Sequence, residues 1–502
     1  MKHNESFLSK AGKFIAKNNV TVFFTVLCLF AFHFSTFTLP TLFEELFIRI
    51  GRNTFLVLSL LIPVIAGLGL NFGIVIGAIA AQMAIFVVVL FGGTGFTGIL
   101  WAVAICTPLA IFFGFLVGSL FNKMKGTEMI GGLVAGFFSD GIYQFIFLFV
   151  LGGIIVINNP TLMIPTGVGV RNMINLDGNL RHAIDNVPMI SIIDVAFYAV
   201  AALTAFLLIY RFAKKKELEL PKLLKRFAPF AILWAASWIP PVGAFFSTTR
   251  LLLLHAVEFG VLGTILFQLW RSFRAIRTEK DRDALKSQLL RRLIYILIAG
   301  AVFAISWIPI MYTSLSMVNL PVLTFLIIGG LYLFIPWFMN TKLGQDMRTV
   351  GQDRAVATSS GINVNRVRII AMIMSTVLAS YGQIISLQNI GTVATYGSHI
   401  AVGTYSIAAL LVGGASVQRA TTNQALLGIV LFHTMFILSA NAGAQLLGNA
   451  QIGEFFRVFA AFGVIAVALA MHAWSRTKGA QISVPTPPPA TPPQGETKSE
   501  PA

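Results

Sequence analysis

Charge is scarce in this chain. Only 11% of its 502 residues are charged, against 56% hydrophobic residues and a mean hydropathy of +0.82. No soluble core of this size needs so much apolar surface, so the composition excludes a water-soluble globular protein. Cysteine is nearly absent: Cys28 and Cys106 both fall inside apolar runs, which leaves neither a disulfide framework nor metal-ligand spacing. The seven histidines are scattered without an H-E-x-x-H pattern, and the adjacent carboxylates Glu44-Glu45 read as an interfacial loop, so no enzymatic or metal constellation stands out. There is no G-x-x-x-x-G-K-[ST] loop, so the chain has no phosphate cradle of that type.

Long apolar runs are what it does have. A hydrocarbon core needs roughly 20 apolar residues per helix, and about fourteen segments meet that pattern. They run over 20–38, 54–70, 74–91, 98–121, 129–157, 191–210, 227–246, 251–270, 293–317, 320–339, 367–387, 400–416, 422–440 and 455–474. They are continuously apolar, without the alternation of a barrel strand, so the expected fold is an all-α polytopic bundle. The net charge of +17 is a topology signal, and no nucleic-acid partner is expected. With the N-terminus placed in the cytoplasm, all but six of the 36 Lys and Arg residues fall on the cytoplasmic side; the six are Arg49, Arg52, Arg171, Arg181, Arg250 and Arg457. The bias puts both termini inside the cytoplasmic membrane. The first basic and apolar stretch lacks a small-residue cleavage site and reads as a retained helix. The repeated prolines of Pro485–Pro493 mark a disordered tail.

One polar stretch breaks the apolar pattern. Thr341–Arg368 holds five basic residues and three glycines between two apolar segments, so it sits in water and suits contact with a partner protein. A helix over Asp346–Ser360 would set Ala357 and Gly361 four apart on one face, where small side chains permit close docking. A second region, Ala66–Phe86, repeats glycine at Gly69, Gly73 and Gly77. That spacing aligns them on one helix face for close packing, while Asn71 inside the run suggests a break whose backbone faces a water-filled path. Gly114 with Gly118, and Gly132 with Gly136, read as packing pairs. Polar side chains within the spans are candidates for a solute pathway, because an unpaired polar group in hydrocarbon is costly. They are Asn71, Gln82, Tyr143, Gln144, Gln383 and Gln388, a set rich in amides that suits a neutral hydrogen-bonding solute. Asp140, His255 and Glu258 are ionisable groups in or near apolar segments, and Asp140 has no assigned proton-relay role.

The chain resembles the permeases of ABC importers for simple sugars and nucleosides, the ribose-permease-like group. These carry a glycine-rich motif after their second helix and a cytoplasmic segment of the form R-x-x-G-x-N-x-x-A-A-x-x-x-G-I. Here Arg348, Gly351, Asp353, Val356, Ala357, Gly361 and Ile362 stand at that spacing, with Asp353 in place of Asn and Val356 in place of Ala. Ala355 occupies a place where many relatives have Glu, and Asn71-Phe72 replaces a more polar Asp-Leu-Ser. The turn Val412–Ser416 resembles the family's glycine-rich signal before its last helices. The resemblance implies ATPase-coupling roles for Arg348, Gly351, Asp353, Ala357, Gly361 and Ile362. It implies partners too: an ABC ATP-binding subunit that holds ATP and Mg, an extracytoplasmic substrate-binding protein, and a second permease, either self or a paralogue. This chain itself needs no cofactor.

The organisation this implies is a cytoplasmic N-terminus over 1–19, permease helices over 20–157, an external loop over 158–190 and inserted helices over 191–318. A permease core over 319–474 follows, with the coupling segment at 341–368, and then the tail over 475–502. The inserted part holds a four-residue repeat: Ser237-Trp238-Ile239-Pro240 returns as Ser306-Trp307-Ile308-Pro309. The solute implied is a simple sugar or nucleoside, or a riboflavin-like ring. The alternatives are a branched-chain amino acid permease of the same class and an ion-coupled secondary transporter.

Overall fold

The computed structural model describes residues 18–124, 126–165, 168–214, 220–278 and 282–481. The N-terminal 1–17 and the tail from 482 onward lie outside the described residues. Each of the fourteen apolar segments contains helix, but the count of spans is lower. Among the described residues ten helices are long and apolar enough to cross a membrane, or eleven if the pair Lys225–Ala236 and Pro240–Phe246, bent by 100°, forms one span. Asn19–Phe34, Ile74–Leu90 and Ser398–Val412 are apolar but shorter. Hydropathy alone does not register where the backbone leaves the helix.

In chain order the first half is α1 (Asn19–Phe34), α2 (Leu39–Ser59), α3 (Leu61–Ile65), α4 (Ile74–Leu90), α5 (Gly95–Lys123) and α6 (Glu128–Phe145), which continues as a π-helical stretch over Ile146–Ile154. A short strand β1 (Met173–Asn175) precedes the middle unit of α7 (Met189–Ala213), α8 (Leu220–Ala236), α9 (Pro240–Phe246), β2 (Arg250–Leu252), α10 (Leu253–Thr278), α11 (Arg282–Ser306), α12 (Pro309–Met317) and β3 (Asn319–Pro321). The last part is α13 (Val322–Met339), α14 (Lys342–Gln352), α15 (Arg354–Ser359), α16 (Val364–Ile390), β4 (Thr392–Ala394), α17 (Ser398–Val412), α18 (Thr422–Leu447) and α19 (Ala450–Gln481).

Helix α16 is the centre of the bundle, packed by α2, α4 and α5. The glycines make this possible. A Cβ on Gly114 would stand 2.7 Å from the Ile373 Cα, and one on Gly118 would stand 2.9 Å from the Ile369 Cα, so α5 lies backbone-close to α16. Gly77 of α4 meets the same helix, 2.6 Å from the Thr376 carbonyl by the same construction. The three glycines of the 66–86 run do not share a helix face, however. Ala66–Gly73 is irregular, with Gly67 and Gly69 at φ of 71° and 76°, and α4 begins only at Ile74. This break is a buried connector between α3 and α4. Arg52, Leu56 and Ser59 of α2 meet Asn389, Gly382 and Ser375 in reverse order along α16, whereas Asn71 and then Gly77 meet Ser375 and then Thr376 and Ser380 in the same order. Irregular backbone at this depth is tolerated because protein surrounds it.

The two ends of the bundle are tied differently. At the end that carries Thr341–Arg368, short helices cover the connector. At the opposite end β1 pairs antiparallel with β4, Ile174 opposite Val393. The middle unit packs on the outside with much of its apolar surface exposed, Phe206, Ile209, Trp270 and Leu297 among it, as lipid-facing helices require. Its four-residue repeat marks a repeated structure. In each copy the serine hydroxyl donates to a carbonyl three residues back, at 2.6 Å for Ser237 and 2.7 Å for Ser306. The isoleucine is then extended and the proline opens a short helix, α9 or α12. Each short helix leads to a strand, and the two strands pair antiparallel, Leu251 opposite Leu320. Proline at the first helical position is the reason the motif can restart a helix after a sharp turn.

Candidate functional site

The polar stretch is built from two short helices rather than the one expected over Asp346–Ser360. Thr341 caps α14 by accepting from the Gly344 amide at 3.3 Å. Asp353 then interrupts it with extended backbone, and its Oδ1 accepts from the Ala355 and Val356 amides at 2.7 and 3.1 Å, capping α15. Aspartate and asparagine are equivalent N-caps, so the Asp353 replacement preserves the local structure. Ala357 and Gly361 do not form a shared docking face. Ala357 is fully buried against the chain's own core, and Gly361 lies beyond the end of α15 at φ 78° with open space around it. Helical spacing could not show this, because burial within the same chain takes up the Ala357 side. Of the motif positions, Arg348, Asp353, Ala355, Val356 and Gly361 are exposed, while Ile362 is half-buried.

Gly351 faces inward. A Cβ there would collide with the Ile65 carbonyl, and one on Gly67 would stand 2.7 Å from the Gly351 Cα, so the two backbones touch. The buried connector and α14 are thereby one packed unit. Beside them a notch of about 290 Å3 is lined by Ile65, Arg348, Gln352, Gln418 and Arg419. Within the connector, Asn71 is fully buried and donates to the Ser375 hydroxyl at 3.2 Å, which in turn donates to the Ser59 carbonyl at 3.1 Å. Asn71 therefore ties three elements together.

An ion cluster that sequence reading missed locks this end. Glu128 opens α6; its Oε1 accepts from Arg354 of α15 and from Arg368 of α16, each at 2.6 Å, and its Oε2 accepts from the Gly126 amide at 2.9 Å. Arg354 also reaches the Gly67 carbonyl at 3.3 Å, and Arg368, fully buried, reaches the Phe121 carbonyl at 3.1 Å. One carboxylate thus joins the connector, the short helices and two long helices. No spacing in the sequence announces it, since its members lie 226 and 240 residues apart.

Three of the six pathway candidates meet inside the bundle. Gln82 of α4 and Tyr143 and Gln144 of α6 surround Asp140 and His399, the last on α17. His399 Nε2 lies 2.6 Å from Asp140 Oδ1 and its Nδ1 lies 3.0 Å from Gln82 Oε1. Gln144 donates to the other Asp140 oxygen at 2.9 Å. The Tyr143 ring stands edge-on to the imidazole with centroids 5.1 Å apart. Two polar atoms of these residues, the Tyr143 hydroxyl and Gln82 Nε2, are buried without a hydrogen-bond partner among the described residues. Such atoms call for an occupant such as water or solute. Sequence reading missed His399, whose partners lie 259 and 317 residues away. An apolar cavity of about 430 Å3 between α4, α5 and α6 adjoins Tyr143.

The remaining candidates lie elsewhere. Gln383 is buried on α16 with both amide atoms unpartnered among the described residues. Gln388 belongs to the end opposite the Thr341–Arg368 stretch, where it donates to Asp185 at 3.1 Å. Asp185 also accepts from Thr324 at 2.6 Å and from Asn389 at 3.0 Å, with His182 Nδ1 at 3.0 Å. Burial pushes this carboxyl up, but hydrogen bonds from Thr324, His182, Asn389 and Gln388 outweigh it and hold it below the usual aspartate value. Among the described residues no group of three or more His, Cys, Asp or Glu side chains is placed to hold a metal ion.

Comparison with known proteins adds one finding. Residues 189–469 match the model of a family described as Branched-chain amino acid transport system / permease component. The interval takes in the middle unit, read above as inserted helices, and ends within α19; it leaves out α1–α6, of which α2, α4 and α5 pack against α16. No curated protein and no solved structure matches the chain.

Proposed function

This chain belongs to the permease family of ATP-binding-cassette importers, and from that premise we propose that it moves a small neutral polar solute across the cytoplasmic membrane by alternating access, driven by a separate ATPase. The observation that carries the reading is the packing of α14 and α15 on the buried connector. A partner seated on the exposed side of these helices would push on Gly351 and Arg354. Through Gly67 and Glu128 that push would reach the connector into α4, α16 and α6; α4 carries Gln82 and α6 carries Asp140, Tyr143 and Gln144 of the polar cluster. The energy comes from the partner, which binds ATP and Mg. A second permease copy or paralogue completes the pathway, and an extracytoplasmic binding protein delivers the solute. Both termini are cytoplasmic in this reading.

Gln82, Tyr143, Gln144, Asp140 and His399 are the side chains we assign to solute contact. Amide, hydroxyl and imidazole groups suit the hydroxyls of a simple sugar or a nucleoside, and the unpartnered Tyr143 and Gln82 atoms are the donors such a solute would meet. The family's printed description favours a second reading, a branched-chain amino acid, for which the apolar cavity beside Tyr143 is suited.

The test is co-purification of ATP hydrolysis with the tagged chain from solubilised membranes, before and after Val356→Asp. Val356 is helical and 55% exposed, so the substitution alters the surface without a folding burden, whereas any side chain at Gly361 would meet backbone strain. Wild type should retain an ATPase that the variant loses. If neither retains one, even after cross-linking in intact membranes, the importer reading fails. Uptake of labelled ribose, adenosine and leucine by the reconstituted complex then separates the two solute classes.

A further inference from the structure

At the end opposite the coupling stretch a cavity of about 320 Å3 opens where five parts of the chain converge: α2, the segment before α7, the β2–β3 ribbon, the start of α13 and the end of α16. Its volume falls within the range of small-molecule sites. Its walls are mixed, with Phe47, Leu320 and Phe325 supplying apolar surface.

The charges are unevenly matched. The buried carboxylate at its base, Asp185, is consumed by the donors from Thr324, Gln388, Asn389 and His182. Arg181 is paired with Asp177 at 2.6 Å. Two guanidinium groups remain. Half-buried Arg52 is held by a single bond from Nε to Asn389 Oδ1 at 3.1 Å, and its terminal nitrogens have no partner among the described residues. Arg250 comes from the ribbon, and its side chain has no hydrogen bond or ion pair among the described residues. The other carboxylate on the lining, Glu44, is exposed and lies within 4.0 Å of neither arginine. Asn389 therefore fixes one guanidinium with its fork open, and the middle unit brings the second to the same cavity. A planar fork is the geometry that recognises a carboxylate through paired N–H donors.

We propose that this cavity is a binding site for a small organic carboxylate, held by Arg52 and Arg250, and that the middle unit completes the site by contributing the ribbon. The site is separate from the Asp140–His399 cluster and does not depend on which solute the permease carries. It gives the middle unit a role: without β2 only Arg52 offers the cavity a guanidinium outside an ion pair, since Arg181 is paired with Asp177.

The purified full chain in nanodiscs tests this by thermal unfolding. The probes are butyrate, lactate and D-glucuronate, each beside its neutral counterpart butyramide, lactamide and D-glucose, all at matched sodium chloride. At least one carboxylate should stabilise the chain saturably while its neutral counterpart does not. Arg250→Gln, at an exposed and unbonded position, should keep the unliganded unfolding temperature and weaken that binding by about tenfold or more. Arg52→Lys, which keeps the charge and loses the fork, should weaken it as well. Three results would each overturn the proposal: no saturation by any of the three acids up to about 10 mM, equal stabilisation by acid and neutral counterpart, or binding that Arg250→Gln leaves unchanged.

Discussion

At the residue scale, Glu128 is the side chain on which most depends. It is the carboxylate partner of fully buried Arg368 and of Arg354, and Arg368 already has two nitrogens without a partner among the described residues. Breaking a buried pair from one side leaves an uncompensated charge, so Glu128→Gln should cost about 3–5 kcal/mol of stability. Adding Arg368→Met should recover much of that loss, because the desolvation cost goes with the charge. Unfolding temperatures of the single and double variants in one detergent would measure this, and a double variant no better than the single would refute it. Asp185 gives a pH signature. Its carboxyl titrates below the ordinary value of 3.8, so its contribution is fully present above that value and is lost as pH falls through the lower, folded-state value. Asp185→Asn should thus be less stable than wild type by about 1–3 kcal/mol at neutral pH, a deficit that shrinks only below about pH 3.8. A deficit that closes between pH 5 and 7 would assign the effect to another group.

At the element scale, the connector Ala66–Gly73 and helix α14 work as one piece because two glycine backbones meet. Gly351→Ala places a methyl against the Ile65 carbonyl, and only separation of the two elements relieves it. The expected outcome is a chain that retains its ATPase but transports less per ATP hydrolysed, read as the ratio of uptake to hydrolysis in proteoliposomes. An unchanged ratio would mean that the contact only packs. The sequence pointed to this stretch through its polarity and its glycines, and it pointed to Asn71 as the place where the helix breaks. It misassigned the partners. Gly69, Gly73 and Gly77 looked like one face because a period of four is helical, yet positive φ at Gly67 and Gly69 belongs to a turn. Ala357 looked available for docking because spacing shows which residues share a face and not whether the chain itself already covers that face.

At the scale of the whole molecule, the polar groups sort into three levels along the bundle: the Glu128 cluster, the Asp140–His399 cluster and the Asp185 cluster. This separation predicts that their defects separate. Gln82→Leu, which removes the amide beside His399, should reduce uptake several-fold while the ATPase still co-purifies, and Val356→Asp should do the reverse by losing the ATPase first. If both variants lose the ATPase, the middle cluster serves assembly instead of solute contact. The sequence by itself determined that this is a helical membrane protein, where its apolar segments lie and which stretch between them is polar, because hydropathy and local spacing are properties of neighbouring residues. Only the tertiary structure decided which helices are long enough to span, that the connector is buried under α14, and that Glu128 meets Arg368 and His399 meets Asp140. Those pairs join residues hundreds of positions apart, and in hydrocarbon a polar group's partner is set by which helices pack side by side.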